Sequence, residues 1–421
     1  MNQLLRIVSS SLLALGSLRA QPADTPNTRT EQIQREREAK AKKVQPEDVS
    51  KAERVLRDIK DQHVLERITA GYNGLRLVLG NMVTGSGFAA GPEYKREDLL
   101  NGQLTARGLA QGSTRLYTRL ETEANFPRLL HNRLDLDFLA TRRDYNSLPY
   151  YGPGPRSRKT GRSDFRLEDV NVDGLVAYKL IRHLAVGSSL GLLWTNVGPG
   201  QDDRFISADV QFRAFDVPGL EQQTNFWRSS FFGQYDYRDN PEGAKSGGNY
   251  IVSYSFYNDR KLDRFSFRRF DAEAQQFIPL LNKTRRIALR AKGVFTETDR
   301  NDAVPFYLAP FVGGADDLRG YRFNRFNDRN AVVYTAEYQY EIFSGLDGAV
   351  FFDAGKVMPR GTLLSFSDLQ TDAGFGLRFN ARNAVFLRID VGFSHEGFQV
   401  WFKFNDLFNQ RRYGVTAQPI Y

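Results

Sequence analysis

The chain has 421 residues and not one cysteine, which excludes a disulfide framework and any thiolate metal site. Its 4 histidines, at positions 63, 131, 183 and 395, are scattered among unrelated segments with no metal-ligand spacing, so no metal is expected. It also lacks a long apolar run. The longest, residues 7–18, falls short of the roughly 20 residues a membrane-crossing helix needs, and a mean hydropathy of -0.48 excludes a helical membrane protein. The net charge of +9 is spread so that no helix or loop concentrates it, which argues against nucleic acid as a partner.

Aromatics are plentiful at 13%, with 32 Phe and 19 Tyr, and Gly is frequent at 36. Aromatic girdles at both membrane interfaces have this composition, and barrels score as polar on average because alternate strand residues face a wet lumen. Absence of cysteine suits a chain that crosses an oxidising periplasm.

Residues 1–20 read as a cleaved signal peptide: one basic residue, an apolar core over 7–18, and Leu18-Arg19-Ala20 ending in a small residue before Gln21. The alternative for this run is a buried helix. Residues 21–45 form a charged segment expected to be disordered or only transiently helical. Over 46–71, Ala52, Val55, Leu56, Ile59 and His63 recur at helical spacing. This predicts one short amphipathic helix, either docked at a barrel mouth or a solvated linker.

From Leu75 the period becomes two. Leu134-Asp135-Leu136-Asp137-Phe138 alternates without a slip. Near the C-terminus Val332, Tyr334, Ala336, Tyr338, Tyr340 and Ile342 lie opposite Val333, Thr335, Glu337, Gln339 and Glu341, and four more segments repeat the pattern up to Phe404. A soluble sandwich also alternates, but its polar face prefers Lys, Glu, Thr and Ser. Here that face carries Arg, Asp, Gly and Gln, suited to pairing across a lumen, while the apolar face is long and aromatic enough to aggregate in water. The expected fold is therefore all-β: a transmembrane antiparallel β-barrel of 16 strands over residues 72–408, followed by a tail over 409–421. Upstream strands are expected around Leu75, Leu104, Leu116 and Leu134, and over 165–180, 185–194, 226–237, 250–257, 265–277, 287–295 and 306–311. With that list the tight turns at 182–183, 282–283, 344–345 and 381–382 do not all fall at one end, so at least one strand in it is misplaced.

Three motif spellings fail on context. Asp169-Val170-Asn171-Val172-Asp173-Gly174 opens like a calcium loop but has Leu180 where a bidentate Glu is required. Gly187-Ser188-Ser189-Leu190-Gly191 spells a nucleophile elbow with no helix after it. Gly152-Pro153-Gly154-Pro155 lacks the strand-to-helix setting of a phosphate cradle. No catalytic residue and no cofactor are expected.

Gly313-Gly314-Ala315-Asp316-Asp317-Leu318-Arg319-Gly320-Tyr321-Arg322 is too polar for lipid, and its arginines are stable within a lumen only beside carboxylates such as the inward-facing Glu337 and Asp353. Leu318-Arg319-Gly320-Tyr321 resembles the signature loop of the BamA/TamA family of outer-membrane proteins, also called bacterial surface antigens. Ala336-Glu337-Tyr338, Phe351-Phe352-Asp353-Ala354-Gly355 and Gly374-Phe375-Gly376-Leu377-Arg378 resemble the family's following strands, in order and spacing. The resemblance is firm over 305–408. It implies a loop folded into the barrel, with Arg319, flanked by Gly320 and Tyr321, paired to Glu337 and Asp353. It also implies that residues 397–408, with Gly397, Phe398, Val400, Phe402 and Phe404, are the assembly signal read by the barrel-assembly machinery.

Family insertases and secretion pores carry periplasmic POTRA domains ahead of the barrel, and residues 21–71 are too few for one. The expected function is thus an outer-membrane barrel related to insertases and translocation pores, embedded in lipid and working with a separate periplasmic partner. A passive pore or structural barrel is the alternative, and an outer-membrane lipid hydrolase the more remote one. Fold does not fix this choice. Fractionation tests the location: the mature chain is expected to begin at Gln21 and to sediment with the outer membrane, and a soluble cytosolic protein starting at Met1 would contradict both readings.

Overall fold

In a computed structural model, which describes residues 72–408 apart from 81, 282–283, 362–364 and 382–383, the period-two alternation becomes a barrel wall. Sixteen strands build it, in chain order β1 Leu75–Leu79, β2 Ala89–Asp98, β3 Leu104–Ser113, β4 Thr118–Arg128, β5 Leu134–Tyr150, β6 Ser163–Ile181, β7 Leu184–Pro199 and β8 Asn225–Asp236. There follow β9 Gly247–Asp259, β10 Phe267–Leu280, β11 Arg285–Glu297, β12 Asn330–Phe343, β13 Leu346–Met358, β14 Gln370–Ala381, β15 Ala384–Ser394 and β16 Gly397–Lys403. Each strand pairs antiparallel with the next in sequence. At the seam, β16 meets the first hairpin through side chains: the Phe404 and Phe88 rings lie 6.0 Å apart, and Lys403 Nζ donates to Thr84 Oγ1 at 3.4 Å. The proposed signal peptide, charged segment, N-terminal helix and 409–421 tail lie outside the described residues.

The faces divide as the alternation requires. Outward positions such as Phe352, Phe375 and Phe402 are exposed, to be covered by lipid, while Glu337, Asp353, Arg378, Arg388 and Asp390 point inward and are buried. A residue with no water on one side and a polar lumen on the other sorts by chemistry alone.

The strand list needs one exchange. Residues 306–311 do not run in the wall: Phe306–Leu308 is a short 3-10 turn, and Phe311–Val312 pairs only with Phe326–Asn327. Their apolar run belongs to a cluster inside the mouth. The missing strand is β2, whose sequence AAGPEYKRED hides its alternation behind a Gly-Pro step and a run of charges. Gly91 and Pro92 are skipped in its ladder to β3, which spares the proline the hydrogen bond it cannot donate. With β2 in and 306–311 out, the four tight turns all follow even-numbered strands and share one end. Short turns mark the periplasmic side.

The opposite, cell-surface mouth carries the long connections, residues 200–224 and 298–329. They fold inward over an apolar cluster that includes Tyr150, Phe165, Leu220, Phe226, Phe306 and Tyr307. Phe306 lies 4.8 Å from Phe165 and 5.1 Å from Tyr150, ring centre to ring centre, within the range of attractive aromatic contact. At the periplasmic end the chain beyond β16 turns away from the wall, and Leu407 and Phe408 are buried with Ala244, Phe277 and Ala288. Phe408 packs edge-on against Phe277 at 5.4 Å, and Arg238 Nη1 donates to its carbonyl oxygen at 3.4 Å.

The division of faces has a direct test in the last strand. Phe402→Asp places a charge against lipid and is expected to abolish the compact, heat-modifiable species in unboiled detergent gels. Gln399→Asp, on the lumenal side, is expected to leave most of it, and equal effects would reverse the assignment.

Candidate functional site: a lumenal loop bound to six strands

Between β11 and β12, residues 313–325 pass into the lumen. Gly320 allows the approach. A Cβ there would lie 2.5 Å from the Cβ of Asp372 and 3.0 Å from the backbone of Phe393, and one on Gly392 of the wall would lie 2.5 Å from the Arg319 carbonyl carbon. Loop and wall backbones touch because both positions lack a side chain.

This contact delivers Arg319 to its partners. Its Nε and Nη2 donate to the two oxygens of Asp353 on β13 at 2.8 and 3.0 Å, a bidentate fork, and Nη1 donates to Glu337 Oε2 on β12 at 2.5 Å. All three side chains are inaccessible to water, at 0% exposure. The guanidinium also lies over the Phe351 ring, 3.4 Å from its centre, a cation–π contact that gains strength without solvent. The structure thus brings Arg319 within hydrogen-bond distance of both Glu337 and Asp353.

The network extends further than the sequence reading placed it. Arg378 on β14 donates to Glu337 Oε1 at 2.8 Å and to Asp390 Oδ1 on β15 at 2.6 Å. Arg388 on β15 donates to Asp316 of the loop at 2.8 Å, and Lys403 on β16 pairs with the same carboxylate at 3.1 Å. Lys403 and Arg388 hold the half-exposed Asp316 carboxyl well below the usual range. On β11, Arg290 Nη1 donates to the Asp316 carbonyl at 2.7 Å. Trp401 Nε1 on β16 donates to the Arg319 carbonyl oxygen at 2.7 Å, and Ser394 Oγ on β15 to that of Gly320 at 2.8 Å. The Tyr321 hydroxyl lies 2.9 Å from His395 Nδ1, and burial pushes that phenol up to about 12. The loop is thus tied to every strand from β11 to β16.

Sequence reasoning missed Asp316, Arg388, Asp390 and Trp401 as members of this network. Strand parity marks three of them, since Arg388, Asp390 and Trp401 lie on the inward face of their strands' alternation. Asp316, in a loop without periodicity, left no such signal. In the assembly-signal segment, Phe398, Val400 and Phe402 face outward, Gly397 opens the strand, and Phe404 lies beyond its end against Phe88 and Phe386. The calcium-like spelling lies within β6, where Asp169 pairs with Arg143 at 3.0 Å and Asp173 with Arg228 at 2.7 Å. The elbow-like spelling lies within β7.

A barrel of this size whose lumen holds a loop anchored by a buried arginine defines a class of outer-membrane protein. A model of the Omp85 superfamily domain matches residues 103–405, and the chain belongs to that superfamily. Among solved structures, it is similar to BamA from Haemophilus ducreyi lacking POTRA domains 1-3, with 14% identity and a TM-score of 0.59, over 79% of this chain and 69% of that one. It is also similar to CdiB from Escherichia coli, with 11% identity and a TM-score of 0.57, over 79% of this chain and 62% of that one. At such identities the likeness is one of fold, and the chain spans less than two thirds of the CdiB chain. Family and fold together point to the bacterial outer membrane.

Removing one member of a buried charge pair leaves the other without compensation, at a cost of about 3–5 kcal/mol. Arg319→Ala is accordingly expected to lower the temperature at which the heat-modifiable form is lost and to open the loop to protease. Arg329→Ala, whose residue donates to Thr298 Oγ1 and makes no carboxylate pair among the described residues, should change little. Combining Arg319→Ala with Asp353→Ala should cost less than the two singly, because they share one interaction; strict additivity would show that the pairing carries no coupling energy.

Proposed function

We propose that this protein is a non-catalytic outer-membrane barrel of the insertase and translocation type, in which Arg319, held by Glu337 and Asp353, locks the loop that organises the C-terminal wall. The observation that carries this reading is the span of that loop across β11 to β16: one segment sets the relative positions of six strands, including the terminal strand at the seam. A scaffold built only to hold a pore open has no need of such a tie. The apolar cluster in the cell-surface mouth argues in the same direction, since it fills space that a steady conduit requires.

In this reading the lipid of the outer membrane is the first partner. A separate periplasmic protein delivers clients. The barrel-assembly machinery reads the segment from Gly397 to Phe404 while this chain is itself being built, after a signal peptide ending at Ala20 is removed.

Reconstitution in liposomes tests the proposal. Vesicles carrying the protein are expected to accelerate folding of a urea-unfolded outer-membrane barrel several-fold over empty vesicles, and Arg319→Ala vesicles to lose most of that gain. No acceleration, together with a steady large conductance in planar bilayers, would replace the insertase reading with that of a passive pore.

A further inference from the structure

Behind the Arg319 network, on the lipid side of the same wall, the outer face of β10 to β13 is recessed. Ala274 on β10 lies directly across the ladder from Ala291 on β11, and Ala336 on β12 lies across from Leu289. By strand alternation all of them face outward, opposite to Glu273, Arg290 and Glu337. Three short side chains side by side leave a hollow in the wall. Leu289, Tyr334 and Phe352 stand around it, and together they bound a groove of about 360 Å³. Its rim is open to the membrane, since Leu289 and Phe352 are exposed.

One end of the groove is polar. Gln276, opposite Leu289 in the ladder, lines it, and its Oε1 accepts from the hydroxyls of Tyr237 at 2.9 Å and Tyr250 at 2.5 Å. Two hydroxyl donors on one side of the amide identify that atom as the oxygen. Nε2 is therefore left as a donor, and it makes no hydrogen bond among the described residues. Tyr237 belongs to the connection after β8, at the periplasmic end, and Tyr250 lies near the start of β9. The amide thus sits at the level where tyrosines mark the edge of the hydrocarbon. A donor at that depth demands an acceptor.

We propose that this groove holds one acyl chain of a phospholipid from the periplasmic leaflet, with the ester carbonyl at the head of that chain accepting from Gln276 Nε2. The recess is continuous with the lipid-covered wall, so its occupant comes from the membrane. A polypeptide strand is the poorer match, because the backbones of β10 to β13 are already paired on both sides and offer an incoming strand no hydrogen bonds. A hydrocarbon chain needs none. The ester is the first acceptor above such a chain, which brings it to the depth of the amide. The bound chain lies against β12 and β13 from outside, where Ala336 and Phe352 are the sequence neighbours of Glu337 and Asp353. The proposal does not depend on whether the barrel inserts clients.

Native mass spectrometry of the full chain in detergent micelles tests it, by titration with palmitoyl-oleoyl phosphatidylethanolamine and with the ether-linked analogue, which lacks the carbonyls. Saturable binding of a single ester lipid is expected, and the ether lipid should bind a few-fold more weakly. Ala291→Phe, which fills the hollow, should weaken binding of the ester lipid roughly tenfold. Gln276→Leu should hold the ester lipid no better than the ether lipid. Ala140→Phe, the same enlargement on the outward face of β5, should bind as wild type. Heat-modifiability on gels verifies that each variant folds. The proposal is overturned if lipid binding does not saturate, if Ala291→Phe binds as tightly as wild type, or if wild type holds ester and ether lipids equally. It also fails if Ala291→Phe keeps its lipid yet loses the acceleration of client folding in liposomes, which would assign the groove to a polypeptide.

Discussion

A guanidinium withdrawn completely from water demands carboxylates within hydrogen-bond reach, and in this protein the carboxylates sit on different strands. Arg319 takes Asp353 from β13 and Glu337 from β12. Glu337 in turn is shared with Arg378 on β14, and Arg378 with Asp390 on β15. Because desolvation is tolerated only when every member is satisfied, the network constrains strand register: a slip of one residue in β12 or β13 would turn Glu337 or Asp353 outward to lipid. The polar interior thus specifies the same register that the apolar exterior does, and the two requirements reinforce each other.

The architecture was legible wherever alternation was strong. From β12 onward the sequence and the wall agree strand by strand, because long apolar faces against lipid tolerate no error of phase. Legibility failed where other chemistry masked the period. The strand β2 contains Gly91 and Pro92 followed by six charged or polar-tipped residues in a row, and hydrophobicity carries no signal there. Residues 306–311, by contrast, are apolar enough to pass for a strand, yet Phe306, Tyr307 and Leu308 are buried within the mouth. Burial in a lumenal cluster and burial against lipid leave the same mark on composition. The contradiction over turn sidedness is legible in the sequence itself, and the exchange of these two segments removes it.

The candidate site was legible in its centre and not in its reach. The Arg319 pairing followed from family order and from the inward parity of Glu337 and Asp353. Asp316 became part of the network only once the loop had a path through space, because its partners Arg388 and Lys403 come from strands more than seventy residues onward. Backbone contacts such as Trp401 with the Arg319 carbonyl leave no trace in sequence, since any backbone oxygen can serve.

The ion pairs of the earlier strands are organised otherwise. Arg107 joins Glu93 and Glu123 across adjacent strands, Arg143 joins Asp169 on the next strand, and Arg228 reaches Asp173 over Gly191. Such links resist sliding of one strand past its neighbour but set no angle over a longer arc. A strut fastened to β11 through β16 does set one. The wall is therefore braced unequally around its circumference: along β11 to β16 one segment fixes curvature as well as register, while the earlier strands are tied pair by pair below and by the apolar cluster in the mouth above.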